Sequence, residues 1–226
     1  MNFNWNDFFE NWKKKYSISI FMKDGIVCKK NYENILFIMK DVNNAKPDDK
    51  NDICDYVKTS TDGGNTWFNV ARWTQALLDG TSYNDHLLYV KNKFNKNMHL
   101  FQHEQMKRSS IINLKKEAGG PSVKDAVINH YAQEQKNELL QEIELCTPKI
   151  IIVCGVGILK GVKNVLGEIT PIHKKRPIFE MANNWEIGTV KVNGIDTPIV
   201  QFRHPATGCN AEKSYNDMLK IQKYLL

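Results

Sequence analysis

The chain has 226 residues, 42% of them hydrophobic and 25% charged, and its 31 lysines and arginines against 25 aspartates and glutamates give a formal charge of +6. This length and composition predict one globular domain. The most apolar stretch, from Ile150 to Leu159, is far shorter than the roughly 18 apolar residues that a bilayer-crossing helix needs, so an integral membrane protein is excluded. The mildly basic charge permits a nucleic-acid partner without indicating one by itself.

The N-terminal residues and the cysteines both point to a cytoplasmic location. The first residues contain no cationic segment followed by an apolar core, so no signal peptide is expected. The five cysteines are odd in number, widely spaced and without a C-x-x-C pair, which argues against a disulfide framework or a zinc ribbon. Cys146 and Cys154 lie among apolar residues and are expected to be buried structural thiols.

The first part of the chain predicts a helix and then a strand. Aromatic residues recur at helical spacing from Trp5 to Tyr16, which predicts an amphipathic helix over about 4–16. The three consecutive lysines at 13–15 are expected on its solvated face. The continuous apolar run 35–39 predicts a buried strand of a parallel sheet, and the polar, proline-containing segment 40–49 that follows predicts a loop.

The middle of the chain predicts two helical regions separated by a second strand. A turn at 62–65 precedes a helix that Gly80 ends, and the basic segment 82–108 is helix-like but has no assignable role. Residues 109–114 predict a buried strand, and 115–121 predict a loop. Ser122 and Asp125 then resemble a capping box at the start of a single long helix that runs to about Cys146.

The last third predicts a strand, a hairpin and a closing helix. The run of β-branched residues within 149–155 predicts a buried strand, followed by a short helix over 156–166. Asn193-Gly194 joins two strand-like segments in the manner of a tight hairpin, and 210–226 predict an amphipathic helix. The alternating order predicts a doubly wound α/β sandwich that forms a single α/β domain over 1–226, with its core at about 33–226.

In an open parallel sheet, ligands bind outside the carboxyl ends of the strands, so the residues that follow each predicted strand are the candidates for chemistry. They are Asp41 with Asn43, then Asn113 with Lys115 and Lys116, then Gly155, and finally Arg203 with His204. A carboxylate that orients water, an amide that reads a heterocycle and a histidine that stabilises a leaving anion suit hydrolysis of an N-glycosidic bond.

Neither a cofactor nor a metal is predicted. Gly155-Val156-Gly157 lacks the third glycine of a dinucleotide-binding fingerprint, and the chain has no P-loop, so a nucleotide cofactor is not expected. His99 and His103 have i, i+4 spacing but lack the H-E-x-x-H pattern. We interpret that spacing as incidental.

The ordered set of motifs ILFIMKD (35–41), IINLK (111–115), PKIIIVCG (148–155) and IVQFRHPA (199–206) resembles the uracil-DNA glycosylase superfamily. The resemblance covers about 35–206 and implies a three-layer α/β/α sandwich with a central, mainly parallel four-stranded sheet. It places the family's water-positioning Asp at Asp41, its base-reading Asn at Asn113 and its leaving-group histidine at His204. Asn43 stands where uracil-specific members have a tyrosine that blocks thymine, so strict uracil selectivity is not implied.

The resemblance also implies base flipping, in which the target base leaves the stack and enters a pocket. DNA, single-stranded or as a damaged duplex, is the expected partner. Asn113 and Asn43 would then contact the base, Trp67 or Phe68 would stack on it, and Lys115, Lys116 and Arg203 would contact phosphates. These three cations predict that the charge excess is concentrated on one rim.

Other interpretations of the same residues remain open. Asp41 is also typical of a turn after a strand, Asn113 of a residue that satisfies loop backbone groups, and Trp67 of the core. A catalytically silent nucleic-acid-binding or interaction protein of the same fold is the main alternative. An unrelated α/β hydrolase or phosphate-handling enzyme is another, because one fold hosts many functions.

Overall fold

The computed structural model describes residues 3–41, 52–60, 64–118, 123–172, 185–206 and 210–226. The helices are α1 Trp5–Lys15, α2 Ile53–Thr59, α3 Gly64–Asp79, α4 Tyr83–Phe94, α5 Met98–Met106, α6 Asp125–Glu134, α7 Lys136–Cys146, α8 Leu159–Leu166 and α9 Ala211–Leu225. The strands are β1 Gly25–Ile26, β2 Ile35–Met39, β3 Ser109–Asn113, β4 Ile150–Cys154, β5 Thr170–Pro171, β6 Ile187–Val192 and β7 Ile195–Phe202.

The described strands form one sheet in the order β1-β3-β2-β4-β7-β6-β5. The four central strands, β3, β2, β4 and β7, are mutually parallel. Two antiparallel strands, β6 and β5, extend the sheet on one side, and β1 pairs antiparallel with β3 on the other. The prediction of a mixed α/β fold with a mainly parallel sheet is confirmed, and the sheet has seven strands in the described residues rather than four.

Helices cover both faces of the sheet because the central strands are apolar on both sides. In β2, Ile35, Phe37 and Met39 face one core and Leu36 and Ile38 face the other. Residues of α2, α3, α4, α5 and α9 complete the first core. Residues of α1, α6, α7 and α8 complete the second, in which Cys146 is buried, while Cys154 is buried in the first.

The single helix predicted from Ser122 to Cys146 is wrong, because the chain forms α6 and α7 with a break at Gln135. Gln135 has φ −103° and ψ 24°, and its buried Oε1 accepts a hydrogen bond of 2.9 Å from Trp12 Nε1. The break therefore gives the buried indole N–H of α1 a partner from 123 residues away. Ser122, the predicted cap, lies outside the described residues.

The predicted hairpin is confirmed and sets the start and the register of β7. Asn193 and Gly194 have φ of 50° and 77°, as a type I′ turn requires, and β6 pairs with β7 from Val192↔Ile195 to Ile187↔Val200. The hairpin holds β7 against β4, so that the Arg203-His204 segment leaves the sheet at the same edge as the segment after β2.

The two-residue strands β1 and β5 carry no periodic pattern and were not predicted. The basic segment 82–108 forms α4 and α5, with Asn95 in a left-handed conformation at the end of α4. Among the described helices, none combines the length and the apolar character needed to cross a membrane.

Candidate active site

The carboxyl ends of the four parallel strands meet at one edge of the sheet. Met39 is in register with Asn113, and Cys154 with Phe202. The pairing continues past the strands, since Lys115 N–H donates to Lys40 O at 3.2 Å and Gly155 N–H donates to Phe202 O at 2.9 Å. Asp41 and His204 thus follow two strands that flank β4, at a lateral strand separation of roughly 10 Å, twice the spacing of neighbouring strands.

Asp41 is a partly buried carboxylate with unused hydrogen-bonding capacity. Its Oδ2 is buried and has no hydrogen-bond partner among the residues that the structure describes. Burial raises the pKa of Asp41, and the positive charges of Lys40 and Lys115 oppose that increase. A carboxylate oxygen that is partly desolvated and unpaired is suited to accept a proton from, or orient, a water molecule.

The ring of His204 is held in one tautomer. Its Nδ1 accepts a hydrogen bond of 3.1 Å from Ala206 N–H, so the neutral ring carries its proton on Nε2. Burial lowers the pKa of His204, and the positive charge of Lys40 lowers it further. Both effects favour a neutral imidazole whose Nε2–H is a hydrogen-bond donor.

Lys40 links the end of β2 to the start of α6. Its Nζ lies 3.0 Å from Asp125 Oδ1. Gly157 makes room for this pair, because a Cβ at Gly157 would lie 1.7 Å from Asp125 Oδ2. The positive charge of Lys40 also acts on both Asp41 and His204, because it lowers the pKa of each.

The side chain of Asn113 has a structural partner. Both its backbone N–H and its Nδ2 donate to Asp24 Oδ2, at 2.7 and 3.0 Å. Asn113 and Asp24 are both buried. One of the two amide N–H donors of Asn113 is thus engaged at the β1 edge, and base reading by Asn113 stays a prediction.

The predicted phosphate contacts of Lys115 and Lys116 are wrong, because both side chains are buried. Lys116 is 0% exposed and forms ion pairs with Asp24 and, at 2.6 Å, with Glu142 Oε2. Lys115 is 5% exposed, and its Nζ donates to the backbone oxygen of Glu117 at 2.7 Å. Neither ammonium group has a free path to a phosphate.

Arg203 is also engaged within the protein. Its Nη2 lies 2.7 Å from Asp217 Oδ2, and its guanidinium packs over the rings of Trp185 and Phe202. Lys115, Lys116 and Arg203, which the sequence predicts as a charged rim, therefore all make contacts within the protein. Arg203 is only partly buried, so a phosphate contact by Arg203 stays a prediction.

Trp67 and Phe68, the proposed stacking residues, lie in the first turns of α3 and are partly buried. The Trp67 ring packs edge-on against Tyr56 at 6.5 Å, and the Phe68 ring packs against His99 at 5.1 Å. Each ring has a neighbour on one side, so stacking on a base stays a prediction. Asn43, the remaining base-binding candidate, lies outside the described residues.

Asn69 supports the His204 segment and was not predicted. It is buried in α3, and its Nδ2 donates to Pro205 O at 2.8 Å. Its Oδ1 accepts a hydrogen bond of 3.1 Å from Arg72 Nη1. The only sequence signal was a polar residue next to the apolar positions of a helix, which is typical of a buried amide with a distant partner.

We expect Asn69→Ala to lower the free energy of unfolding by about 1–3 kcal/mol, because it leaves the carbonyl of Pro205 without its buried donor. For a chain of this size that is a decrease of roughly 2–12 °C in the melting temperature. Thermal unfolding followed by circular dichroism measures it. Asn65→Ala, at an exposed position of the same helix, is the matched control, and equal losses in both variants would contradict the assignment.

Metal ligands and relatives give no further guide to the chemistry. In the described part of the chain, no group of three or more His, Cys, Asp or Glu side chains is arranged to hold a metal ion. No protein-family model and no curated protein matches the sequence. The geometry at the strand ends is therefore the basis on which a function is assigned.

Proposed function

We propose that the protein hydrolyses the N-glycosidic bond of a nucleobase in DNA. The observation that carries the proposal is the pair of polar groups on either side of β4: a partly buried Asp41 with an unpaired oxygen, and a neutral His204 with its proton on Nε2. The parallel strand order β3-β2-β4-β7 and the motif resemblance to uracil-DNA glycosylases support it.

The two groups suit the two charges that develop in this reaction. As the bond between sugar and base breaks, positive charge grows on the sugar and negative charge grows on the base. Asp41 would stabilise the sugar cation and orient the attacking water, while His204 Nε2–H would donate to the departing base. Lys40 would keep Asp41 ionised and His204 neutral, because its positive charge favours both of those states.

The substrate would be a base that is already easy to unstack. Flipping costs a few kcal/mol and costs least in single-stranded or damaged DNA. The Ala206 that follows His204-Pro205 is too small to wedge into a duplex in place of the flipped base, which favours those substrates.

The test is a base-release assay with uracil-containing single- and double-stranded oligonucleotides, in which alkali cleaves the chain at abasic sites. We expect cleavage with the wild-type protein and more of it on the single strand. Activity that survives Asp41→Ala combined with His204→Ala would overturn the residue assignments. An absence of release from any modified base would overturn the reaction class.

The pH dependence of base release is a separate expectation. The charged imidazole needs a proton on Nδ1, where Ala206 N–H already points, so His204 must be neutral to keep its position. The pKa of His204 is lowered from 6.5 and that of Asp41 is raised from 3.8, and both groups must lose their protons, so the rate should rise from acidic pH to a plateau. A pH–rate profile measured at saturating DNA tests this, and a rate that is highest at acidic pH would contradict it.

One observation favours a second candidate, a nucleic-acid-binding protein of this fold without catalysis. The Asn113 amide, which would read the base, donates to Asp24. This candidate predicts salt-sensitive DNA binding without base release.

A further inference from the structure

A cavity of about 390 Å³ lies between α3, α4 and the start of α5, in the segment that the sequence left without a role. Its volume is within the range of small-ligand pockets, roughly 300–1,000 Å³. Leu87, Leu88 and Met98 give it an apolar wall, and Leu88 is 53% exposed. Two adjacent half-exposed leucines on one surface helix indicate a contact surface rather than a packed core.

Cations surround this apolar wall. Arg72, Lys91 and Lys96 line the cavity, and no described carboxylate does. Lys91 and Lys96 are exposed and form no ion pair with a described residue, whereas Lys93 on the same helix pairs with Glu104. The cavity therefore combines an apolar surface with the positive charges of the exposed Lys91 and Lys96, which complements a ligand that carries both apolar groups and anions.

The backbone places Lys96 at this rim. Lys96 has φ 63°, a left-handed conformation that is unfavourable for a residue with a side chain, and its N–H donates to Val90 O at 3.2 Å. The chain thus turns back over the last turn of α4, so that Lys96 joins Lys91 at the cavity.

Hydrogen bonds connect the cavity to the candidate active site. Arg72 at the cavity donates to Asn69, and Asn69 donates to Pro205, the residue after His204. Arg72 at the cavity is therefore one turn of α3 from Asn69, which holds the His204 segment.

We propose that this cavity binds single-stranded DNA next to the reacting nucleotide, with phosphates at Lys91 and Lys96 and the face of a base against Leu88. The inference depends on the proposed function for its ligand. It supplies phosphate contacts in place of those predicted for Lys115 and Lys116, which are buried. Phosphate charge and apolar base faces match the two surfaces of the cavity.

The test measures the affinity for a fluorescein-labelled thymidine oligonucleotide of about 15 nucleotides by fluorescence anisotropy. Titrations with KCl from about 0.05 to about 0.2 M give the slope of log affinity against log salt. Lys91→Ala/Lys96→Ala should reduce the magnitude of that slope by about 1.4, because each single-strand phosphate contact contributes about 0.7. Leu88→Ser should weaken binding about fivefold and leave the slope unchanged.

The matched control is Lys13→Ala/Lys14→Ala, which removes the same charge from α1 on the opposite face of the sheet. It should leave the slope unchanged. The inference is overturned if Lys91→Ala/Lys96→Ala keeps the wild-type slope or if the wild-type protein does not bind the oligonucleotide. An acidic amphipathic peptide is titrated in the same way as a second probe, and binding of this peptide alone would also overturn the inference. A reduced slope without base release from any substrate would support the cavity and overturn the proposed reaction.

Discussion

Asp41→Asn is expected to reduce base release by about 10³-fold, because an amide neither accepts a proton from water nor stabilises a positive sugar. The same change should leave the melting temperature equal or higher. A carboxylate whose pKa is raised on folding destabilises the native state above the ordinary pKa of 3.8, and that penalty increases as pH rises through the shifted value. Replacing it with a neutral amide removes the penalty.

Single-turnover base release and thermal unfolding at pH 7 measure the two effects on the same samples. Asp196→Asn, on the exposed hairpin, is the control for loss of one carboxylate. Retention of more than a tenth of the wild-type rate would contradict the role of Asp41. A large drop in the melting temperature would instead indicate that Asp41 holds the loop after β2.

Lys116→Met is expected to lower the free energy of unfolding by about 3–5 kcal/mol, because it leaves the buried Asp24 carboxylate without its counter-ion. That corresponds to roughly 6–20 °C in the melting temperature for a chain of this size. Burial alone would lower the pKa of Lys116, but Asp24 and Glu142 raise it, so the ammonium is charged in the folded protein. The substitution also removes its packing over the Trp12 ring.

Glu142→Gln is the control that separates charge from shape. Burial, and then the nearby charge of Asp24, raise the pKa of Glu142 well above its ordinary value, so an uncharged amide of the same shape should replace Glu142 at a smaller cost than Lys116→Met. Chemical denaturation of both variants makes the comparison. Equal losses, or a loss below about 1 kcal/mol for Lys116→Met, would contradict the assignment of Lys116 as the buried charge on which this cluster depends.

Elements with a clear local sequence pattern could be predicted from the sequence alone. The apolar run of β2, the β-branched run of β4 and the Asn193-Gly194 turn each encode their structure within a few residues. The break at Gln135 could not be predicted this way, because its reason is the distant indole of Trp12. The edge strand β1 has only two residues, so its pairing with β3 has no sequence signal.

In the candidate site, too, the sequence predicts what depends on nearby residues and misses what depends on residues far away in the chain. The chain order placed Asp41 and His204 at the ends of parallel strands, and the structure brings those ends to one edge. The roles given to Lys115 and Lys116 failed because a lysine after a strand looks the same whether it faces solvent or a buried acid. The acid that holds Lys116, Asp24, lies 92 residues earlier in the chain.

The most direct test of the proposed function is to identify the released product. The wild-type protein and the Asp41→Asn variant are each incubated with single-stranded oligonucleotides that contain uracil or another modified base, and the solution is analysed for free base by liquid chromatography and mass spectrometry. We expect the wild-type protein to yield a free base and an abasic strand in equal amounts, and Asp41→Asn to yield neither above background. Intact DNA in every wild-type reaction, or equal release by both proteins, would contradict the proposal.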